Sequence, residues 1–285
     1  MTNKKLFMLV GVLGASFSSL FVRASTAPSL ILVVYRSFFS MLLLGPYALL
    51  RHRKEVFSVT RKEWLLAVAS GIFLGLHFTA YFESLRWTSI ASAVVLVNTS
   101  VFFVAMAGVL FLRQKPSRKA WIAMGLTFLG SVVVALANTT AGADPLRGNL
   151  FSLLGSLLLA IYTMLGAVCR RTVSNTTYTF WAYLASLVTV LICALAGGMP
   201  LVGYGSVNYL TGFGMAVCCT LLGHSVFNWG LKYLPAAFVS TFKLMEPVLA
   251  AVWALILFSE KPSLTVILGS CVIIFGIALY NTNKE

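Results

Sequence analysis

The chain has 285 residues, of which 59% are hydrophobic and 10% are charged. Because an ordinary soluble domain has about 25% charged residues, this composition excludes a water-soluble globular protein. The net charge of +14 would suit a nucleic-acid ligand, but the basic residues lie mostly in short segments between long apolar runs, so we expect no nucleic-acid partner.

Apolar runs follow one another along almost the whole chain, and a membrane-crossing helix needs about 20 such residues. The runs do not alternate apolar with polar residues, as the strands of a membrane β-barrel do, so they predict helices. We therefore expect an all-α, polytopic integral membrane protein with ten transmembrane helices. The predicted spans are Leu6–Val22, Leu30–Leu50, Trp64–Ser84, Ile90–Leu112, Ala120–Ala137, Leu150–Val168, Tyr178–Ala196, Tyr209–Gly230, Ala236–Phe258 and Leu264–Tyr280.

Lysine and arginine are distributed unevenly among the segments that join these spans. With a cytoplasmic N-terminus, 15 of the 21 lie in cytoplasmic segments and four lie outside. The positive-inside rule therefore predicts that both termini are cytoplasmic, and anionic membrane lipid is the expected partner of the basic loops. Arg36 and Lys243 are the two that fall within spans.

The chain repeats itself weakly at an interval of 146 residues. The stretch that begins at Leu85 aligns without a gap with the stretch that begins at Leu231, and both contain the turn Lys-Pro-Ser. The repeat predicts two halves of five spans each, residues 1–142 and 143–285. Because five is odd, the second half would cross the membrane in the inverted orientation, as in many transporters whose central site opens alternately to either side.

Three strings carry a resemblance to a known family: APSLILVVYRSFFSMLLLGP in span two, LFLRQKPS at the end of span four, and LMEPVLAAVWALILFSEKPS in span nine. They resemble the EamA-type branch of the drug/metabolite transporter superfamily. The resemblance covers essentially the whole chain. It implies a ten-helix transporter, without a cofactor, in the cytoplasmic (inner) membrane of a bacterium.

The resemblance also carries over to individual residues. Arg36 matches the span-two arginine of the family, Glu246–Pro247 matches its span-nine glutamate-proline pair, and Glu260–Lys261–Pro262 matches its helix-exit turn. The first half departs from the pattern, since Ser100–Val101 stands where a proline often occurs and Arg113–Gln114 replaces the usual glutamate. We therefore expect the charge and the helix kink of span nine to belong to the second half alone.

Ionisable groups inside a span are rare, because placing one at the bilayer centre costs about 2.5–3.5 kcal/mol even on the mildest scale. Lys243 and Glu246 share a helix face, so they either neutralise each other or line a central cavity. Arg36 either binds a substrate carboxylate or phosphate or ties helix ends together. Pro247, which lacks an N–H, is either a hinge that frees the carbonyl of Lys243 or a simple packing kink.

Further polar and aromatic side chains within the spans are candidates for substrate binding. Each has a structural alternative: a hydrogen-bonded core histidine, an amide or hydroxyl that joins two helices, or an aromatic ring that faces lipid. The candidates are His77, Tyr81, Asn98, Ser100, Trp181, His224 and Asn228.

The function that these observations favour is secondary transport. No nucleotide-binding loop is present, so energy would come from a gradient or from downhill export. We predict a transporter of small organic solutes, with amino acids or related metabolites as the favoured class and export as the favoured direction. It would work by alternating access; the sequence does not determine the direction, the coupling to protons, or whether the protein is a monomer or a homodimer. The same fold leaves a lipid-linked substrate flippase and multidrug efflux as alternatives. An intramembrane enzyme is disfavoured, since Asp144 is the single aspartate and no catalytic or metal-ligand motif occurs.

Overall fold

The computed structural model describes residues 3–88, 90–136, 143–259 and 261–282. Throughout these ranges the chain is helical and contains no strand, which confirms the predicted all-α class. Within them, nine helical segments are long and apolar enough to cross a membrane. The protein is therefore a multi-pass membrane protein by the length and composition of its helices.

The helices correspond closely to the predicted spans, and several spans are divided into shorter helices. In chain order they are α1 (Asn3–Ser16), α2 (Ser18–Ala24), α3 (Ser29–Arg51), α4 (Arg53–Ser58), α5 (Arg61–Ser84), α6 (Ile90–Asn98), α7 (Ser100–Leu112), α8 (Arg118–Leu136), α9 (Pro145–Cys169), α10 (Asn175–Ala196), α11 (Ser206–Met215), a π-helix (Ala216–His224), α12 (Ser225–Gly230), α13 (Ala236–Lys243), α14 (Glu246–Phe258) and α15 (Leu264–Asn281).

The predicted count of ten spans is not confirmed. Predicted span five falls on α8, a helix of 19 residues that is not among the nine membrane-length segments of the described ranges. Its predicted last residue, Ala137, lies outside the described residues, as does Glu260 of the predicted helix-exit turn. The orientation of the two termini also stays a prediction.

Side chains at the helix ends explain where several helices begin. Thr60 accepts a hydrogen bond from the backbone of Glu63, and the Glu63 carboxylate accepts one from the backbone of Thr60, which forms a capping box at the start of α5. Ser174 and Ser263 cap α10 and α15 in the simpler way, through one hydroxyl. The apolar runs thus determine that a helix forms, and the polar residues beside them determine its first turn.

Close helix packing depends on glycine, because lipid offers no hydrophobic drive for helices to associate. α5 packs between α9 and α10, and α8 packs along α15. A side chain at Gly71 would overlap the backbone carbonyl of Ala182 on α10. A Cβ at Gly130 would lie 2.8 Å from the carbonyl oxygen of Gly269, so α8 and α15 meet backbone to backbone.

Spans four and nine are both interrupted near their middles, and in the same way. The amide of Thr99 donates to the carbonyl of Leu96 over 3.2 Å, and the amide of Met245 donates to the carbonyl of Phe242 over 3.2 Å. Each is a turn between two α-helices in which an amide donates to the carbonyl three residues earlier, rather than four. The prediction that the kink belongs to the second half alone was therefore wrong: span four breaks too, although Val101 stands where span nine has Pro247.

Helix boundaries follow the interval of 146 residues that the sequence comparison found. α3 and α10, α6 and α13, and α8 and α15 begin 146 residues apart. The residues directly after α7 and α14, Arg113 and Ser259, are also 146 positions apart, and both adopt left-handed conformations, with φ of 54° and 56°. The division into residues 1–142 and 143–285, with opposite orientations, stays a prediction.

Span eight departs from the repeat. Its equivalent in the first half, α5, is a continuous α-helix, whereas span eight contains the nine-residue π-helix between α11 and α12. The amide of Ser225 donates to the carbonyl of Thr220, five residues earlier. A π-helix is wider than an α-helix and is found frequently at functional sites, and this one packs against α1 and α3.

Candidate functional site

Arg36 lies on α3 and is buried, with 3% of its surface exposed. Its Nε atom donates to the hydroxyl of Thr220 in the π-helix over 2.7 Å. The guanidinium carbon lies 4.6 Å from the centre of the Phe78 ring on α5. Its Nη2 atom is buried and has no hydrogen-bond partner among the described residues. The guanidinium is therefore held at Nε by Thr220 and on one face by the Phe78 ring, and its Nη2 donor is unused.

Lys243 and Glu246 lie on either side of the break in span nine, as the last residue of α13 and the first of α14. Both are half-buried. They form no ion pair within 4 Å; in the described part of the chain such pairs join His52 to Glu55 and Arg86 to Glu83. The Nζ atom of Lys243 instead lies 4.9 Å from the ring centre of Phe227. The structure therefore does not support the interpretation that Lys243 and Glu246 neutralise each other in a direct ion pair.

Arg36 lies close to the break in span nine, as its electrostatic interactions show. Glu246 lies within electrostatic range of both Lys243 and Arg36, and Tyr81 of α5 lies within range of Glu246. Four of the predicted site residues, separated by up to 210 positions in sequence, are therefore neighbours. They come from α3, α5 and the two helices of span nine.

The two histidines of spans three and eight also lie in this region. His77 is buried, and its Nδ1 atom lies 2.8 Å from the carbonyl oxygen of Gly155. Because a carbonyl only accepts, Nδ1 carries the proton, and the neutral ring has Nε2 as its acceptor. His77 stacks on Tyr81 with ring centres 6.2 Å apart and planes 7° apart, and it is within electrostatic range of Arg36 and Lys243.

His224 ends the π-helix and packs among aromatic rings. Its ring centre lies 5.6 Å from that of Phe78 and 6.1 Å from that of Tyr162. Its Nδ1 atom is buried without a hydrogen-bond partner in the described ranges. Arg36, Lys243 and His77 are its electrostatic neighbours. The two histidines thus belong to one cluster, which we call the central cluster: Arg36, His77, Tyr81, His224, Lys243 and Glu246.

Asn228 belongs to a buried hydrogen-bond network that reaches Arg36 of the central cluster through Tyr183 and Thr220. Its Oδ1 atom accepts from the hydroxyl of Tyr162 over 2.9 Å, and its Nδ2 atom donates to the hydroxyl of Tyr183 over 3.5 Å. Tyr183 in turn lies 3.0 Å from the hydroxyl of Ser225. Tyr162, Tyr183 and Thr220 were not predicted as site residues. Little in the sequence distinguishes these three residues, since each is a single hydroxyl side chain in an apolar run.

Arg170 follows α9 and is one of the basic residues of the predicted cytoplasmic segments, for which anionic lipid is the expected partner. Only 2% of its surface is exposed. Its Nε atom donates to the carbonyl of Asn228 over 3.1 Å, and its Nη1 atom donates to the carbonyl of Val173. The side chain turns inward because it donates to one carbonyl at the end of span eight and to another in its own loop, and so it fixes the loop after α9 to α12.

Three predicted site residues lie apart from the central cluster. Trp181 donates its indole N–H to the carbonyl of Val56 over 3.1 Å and packs against Trp64, so it joins α4, α5 and α10. Asn98 and Ser100 lie at the break in span four. Within the described residues, no hydrogen bond or ion pair joins either of them to the cluster. The residue between them, Thr99, is hydrogen-bonded to Ser156 over 2.8 Å.

The arrangement is therefore a set of charged and hydrogen-bonding side chains enclosed by membrane-length helices. The sequence pattern of the EamA-like transporter family matches residues 4–136 and 146–282, which is nearly the whole chain. The chain belongs to the EamA-like transporter family. Membership agrees with the resemblance noted from the strings of spans two, four and nine.

Relatives of the chain in this family are named as transporters. A protein of Archaeoglobus fulgidus, named an uncharacterized transporter, is 23% identical over 227 residues, which cover 78% of each chain. The pseudopaline exporter CntI of Pseudomonas aeruginosa is 24% identical over 267 residues, which cover 92% of this chain and 89% of CntI. The names point to transport rather than catalysis as the role of the family.

A solved crystal structure has the same fold. It superposes with a TM-score of 0.83 and covers 98% of this chain and 96% of that one, at 15% sequence identity. At this identity the likeness concerns the fold alone, and it supports the EamA-type helical architecture described above.

Proposed function

We propose that this EamA-family protein is a secondary transporter that exports small organic solutes across the cytoplasmic membrane of a bacterium. Amino acids or related metabolites are the favoured class of solute. The observation that carries the proposal is the central cluster. Charged groups inside membrane-length helices are costly unless they serve a water-filled path or a ligand. Here Arg36, Lys243 and Glu246 lie together without forming an ion pair within 4 Å.

In this proposal the cluster binds the polar groups of an amino acid. The guanidinium of Arg36, held by Thr220 and Phe78, binds the carboxylate through its remaining N–H groups. Lys243 adds a second cation, and Glu246 accepts from the amino group of the solute. The rings of Tyr81 and Phe227 supply the apolar surface against which the rest of the solute packs.

Alternating access would follow from the paired breaks. Interrupted helices at the same position of two inverted repeats place half-helix ends and charged side chains near the membrane centre. The common interval of 146 residues between helix boundaries supports such repeats, as do the separate family matches of residues 4–136 and 146–282. The name of the relative CntI, a pseudopaline exporter, favours export as the direction.

Transport by purified protein in liposomes tests the proposal. We expect Arg36→Ala and Glu246→Gln each to abolish uptake of labelled amino acids into preloaded vesicles, because each removes a charged contact with the solute. Arg51→Ala and Glu83→Gln are matched controls that change the same residue types away from the cluster, and they should transport as the wild type does. Wild-type rates in Arg36→Ala and Glu246→Gln, with normal expression and folding, would contradict the assignment.

Proton coupling is part of the same proposal, with Glu246 as the proton-binding group. A carboxylate that shares a site with two cations and a solute can exchange a proton when the solute leaves. We expect solute accumulation in the vesicles to respond to an imposed pH gradient. Accumulation that is identical with and without the gradient would exclude coupling and leave downhill export.

A further inference from the structure

The central cluster contains more positive than negative charge, and from this we infer that its solute carries a net negative charge. This inference deepens the proposed function and rests on it, because it names the class of amino acid that the site selects. An acidic amino acid, with two carboxylates and one ammonium group, is the simplest member of that class.

The formal charges at the centre are those of Arg36, Lys243 and Glu246. Two cations and one carboxylate leave one positive charge in excess. Protonation of Glu246, His77 or His224 would increase the excess. Since a buried charge without a counter-charge is strongly unfavourable, the site is completed by a ligand that brings one negative charge more than it brings positive charge.

The contacts of the two cations support this conclusion independently. Arg36 donates to a neutral hydroxyl, that of Thr220, and faces the ring of Phe78. Lys243 faces the ring of Phe227. Aromatic faces attract cations through their quadrupole, but they carry no net charge. Among the described residues, neither cation has a carboxylate within 4 Å, so the geometry leaves both available to a carboxylate of the solute.

The buried Nη2 atom of Arg36 adds a requirement for hydrogen bonding. It has no acceptor among the described residues, and leaving a buried charged donor without a partner is unfavourable. A second carboxylate on the solute supplies that acceptor together with the missing charge. A neutral amino acid has one carboxylate to share between Arg36 and Lys243.

The side-chain amide of glutamine is nearly isosteric with the side-chain carboxylate of glutamate, so the two amino acids separate charge from size. In liposomes containing the full chain, we expect counterflow of labelled glutamate to exceed that of glutamine at least tenfold and that of lysine further. Preference for glutamine or lysine would overturn the charge selectivity and leave the transport proposal standing. Movement of none of the three would contradict both.

Variants of Lys243 test whether the excess charge causes the preference. Lys243→Met makes the cluster formally neutral, so the ratio of glutamate to glutamine transport should fall to within about twofold. Lys243→Arg keeps the charge and should keep the ratio. Lys232→Met removes an exposed lysine and is the matched control. A ratio unchanged in Lys243→Met would overturn the inference, and because it is a ratio within one preparation, it does not depend on the yield of folded protein.

Discussion

The central cluster illustrates how much single residues reveal in a membrane sequence. Arg36, Lys243 and Glu246 could be selected from the sequence because ionisable groups are rare inside apolar runs. The structure places Arg36 and Lys243 within electrostatic range of Glu246. The sequence could not identify their neutral partners, since Thr220 and Tyr162 are hydroxyl side chains of a kind that occurs in many membrane helices. Trp181 was selected by the same aromatic signal as Tyr81 but packs on Val56.

Thr220 positions Arg36, and its removal should weaken solute binding without abolishing the fold. In Thr220→Val the hydroxyl that accepts from Nε of Arg36 is lost, while the backbone carbonyl of Thr220, which accepts from Ser225 over 3.3 Å, remains. We expect KM for the solute to rise several-fold with a smaller change in maximal rate. Thr220→Ser restores the hydroxyl and should restore KM; an unaltered KM in Thr220→Val would show that Arg36 needs no such support.

At the scale of helices, the sequence predicted where the chain becomes helical but not how each span is divided. Hydropathy measures the length of an apolar run, whereas a break depends on which carbonyl accepts each amide. Span four breaks at Thr99 without a proline, and span eight widens into a π-helix from Ala216 to His224. Both changes exchange one backbone hydrogen bond for another and leave the apolar pattern intact.

Pro247 is the second residue of α14, in the first helical turn, where its missing N–H leaves no hydrogen bond unmade. The equivalent break in span four has Val101 at this position. We therefore expect Pro247→Ala to keep the break and to keep transport within about threefold of the wild-type rate. Loss of transport in Pro247→Ala, with normal expression, would instead make the proline the hinge of span nine.

At the scale of the whole molecule, three pairs of helices begin 146 residues apart, but the candidate site is chemically unequal between the two predicted halves. The breaks in spans four and nine are alike, but the charge at them is not: Ser100 stands where the second half has Glu246. The π-helix is likewise found in one half. In the proposed mechanism, the repeated halves provide two equivalent conformations for alternating access, while the asymmetric residues provide the affinity for one solute.

The proposed transport depends above all on binding of the solute by the buried guanidinium of Arg36. Equilibrium binding of labelled glutamate to the purified protein tests this most directly, in the wild type, in Arg36→Ala and in Arg51→Ala on the same helix. Charged hydrogen bonds contribute about 1.5–3 kcal/mol, so we expect Kd to rise at least tenfold in Arg36→Ala and to stay within twofold in Arg51→Ala. Equal affinity of Arg36→Ala and the wild type would show that Arg36 does not bind the solute.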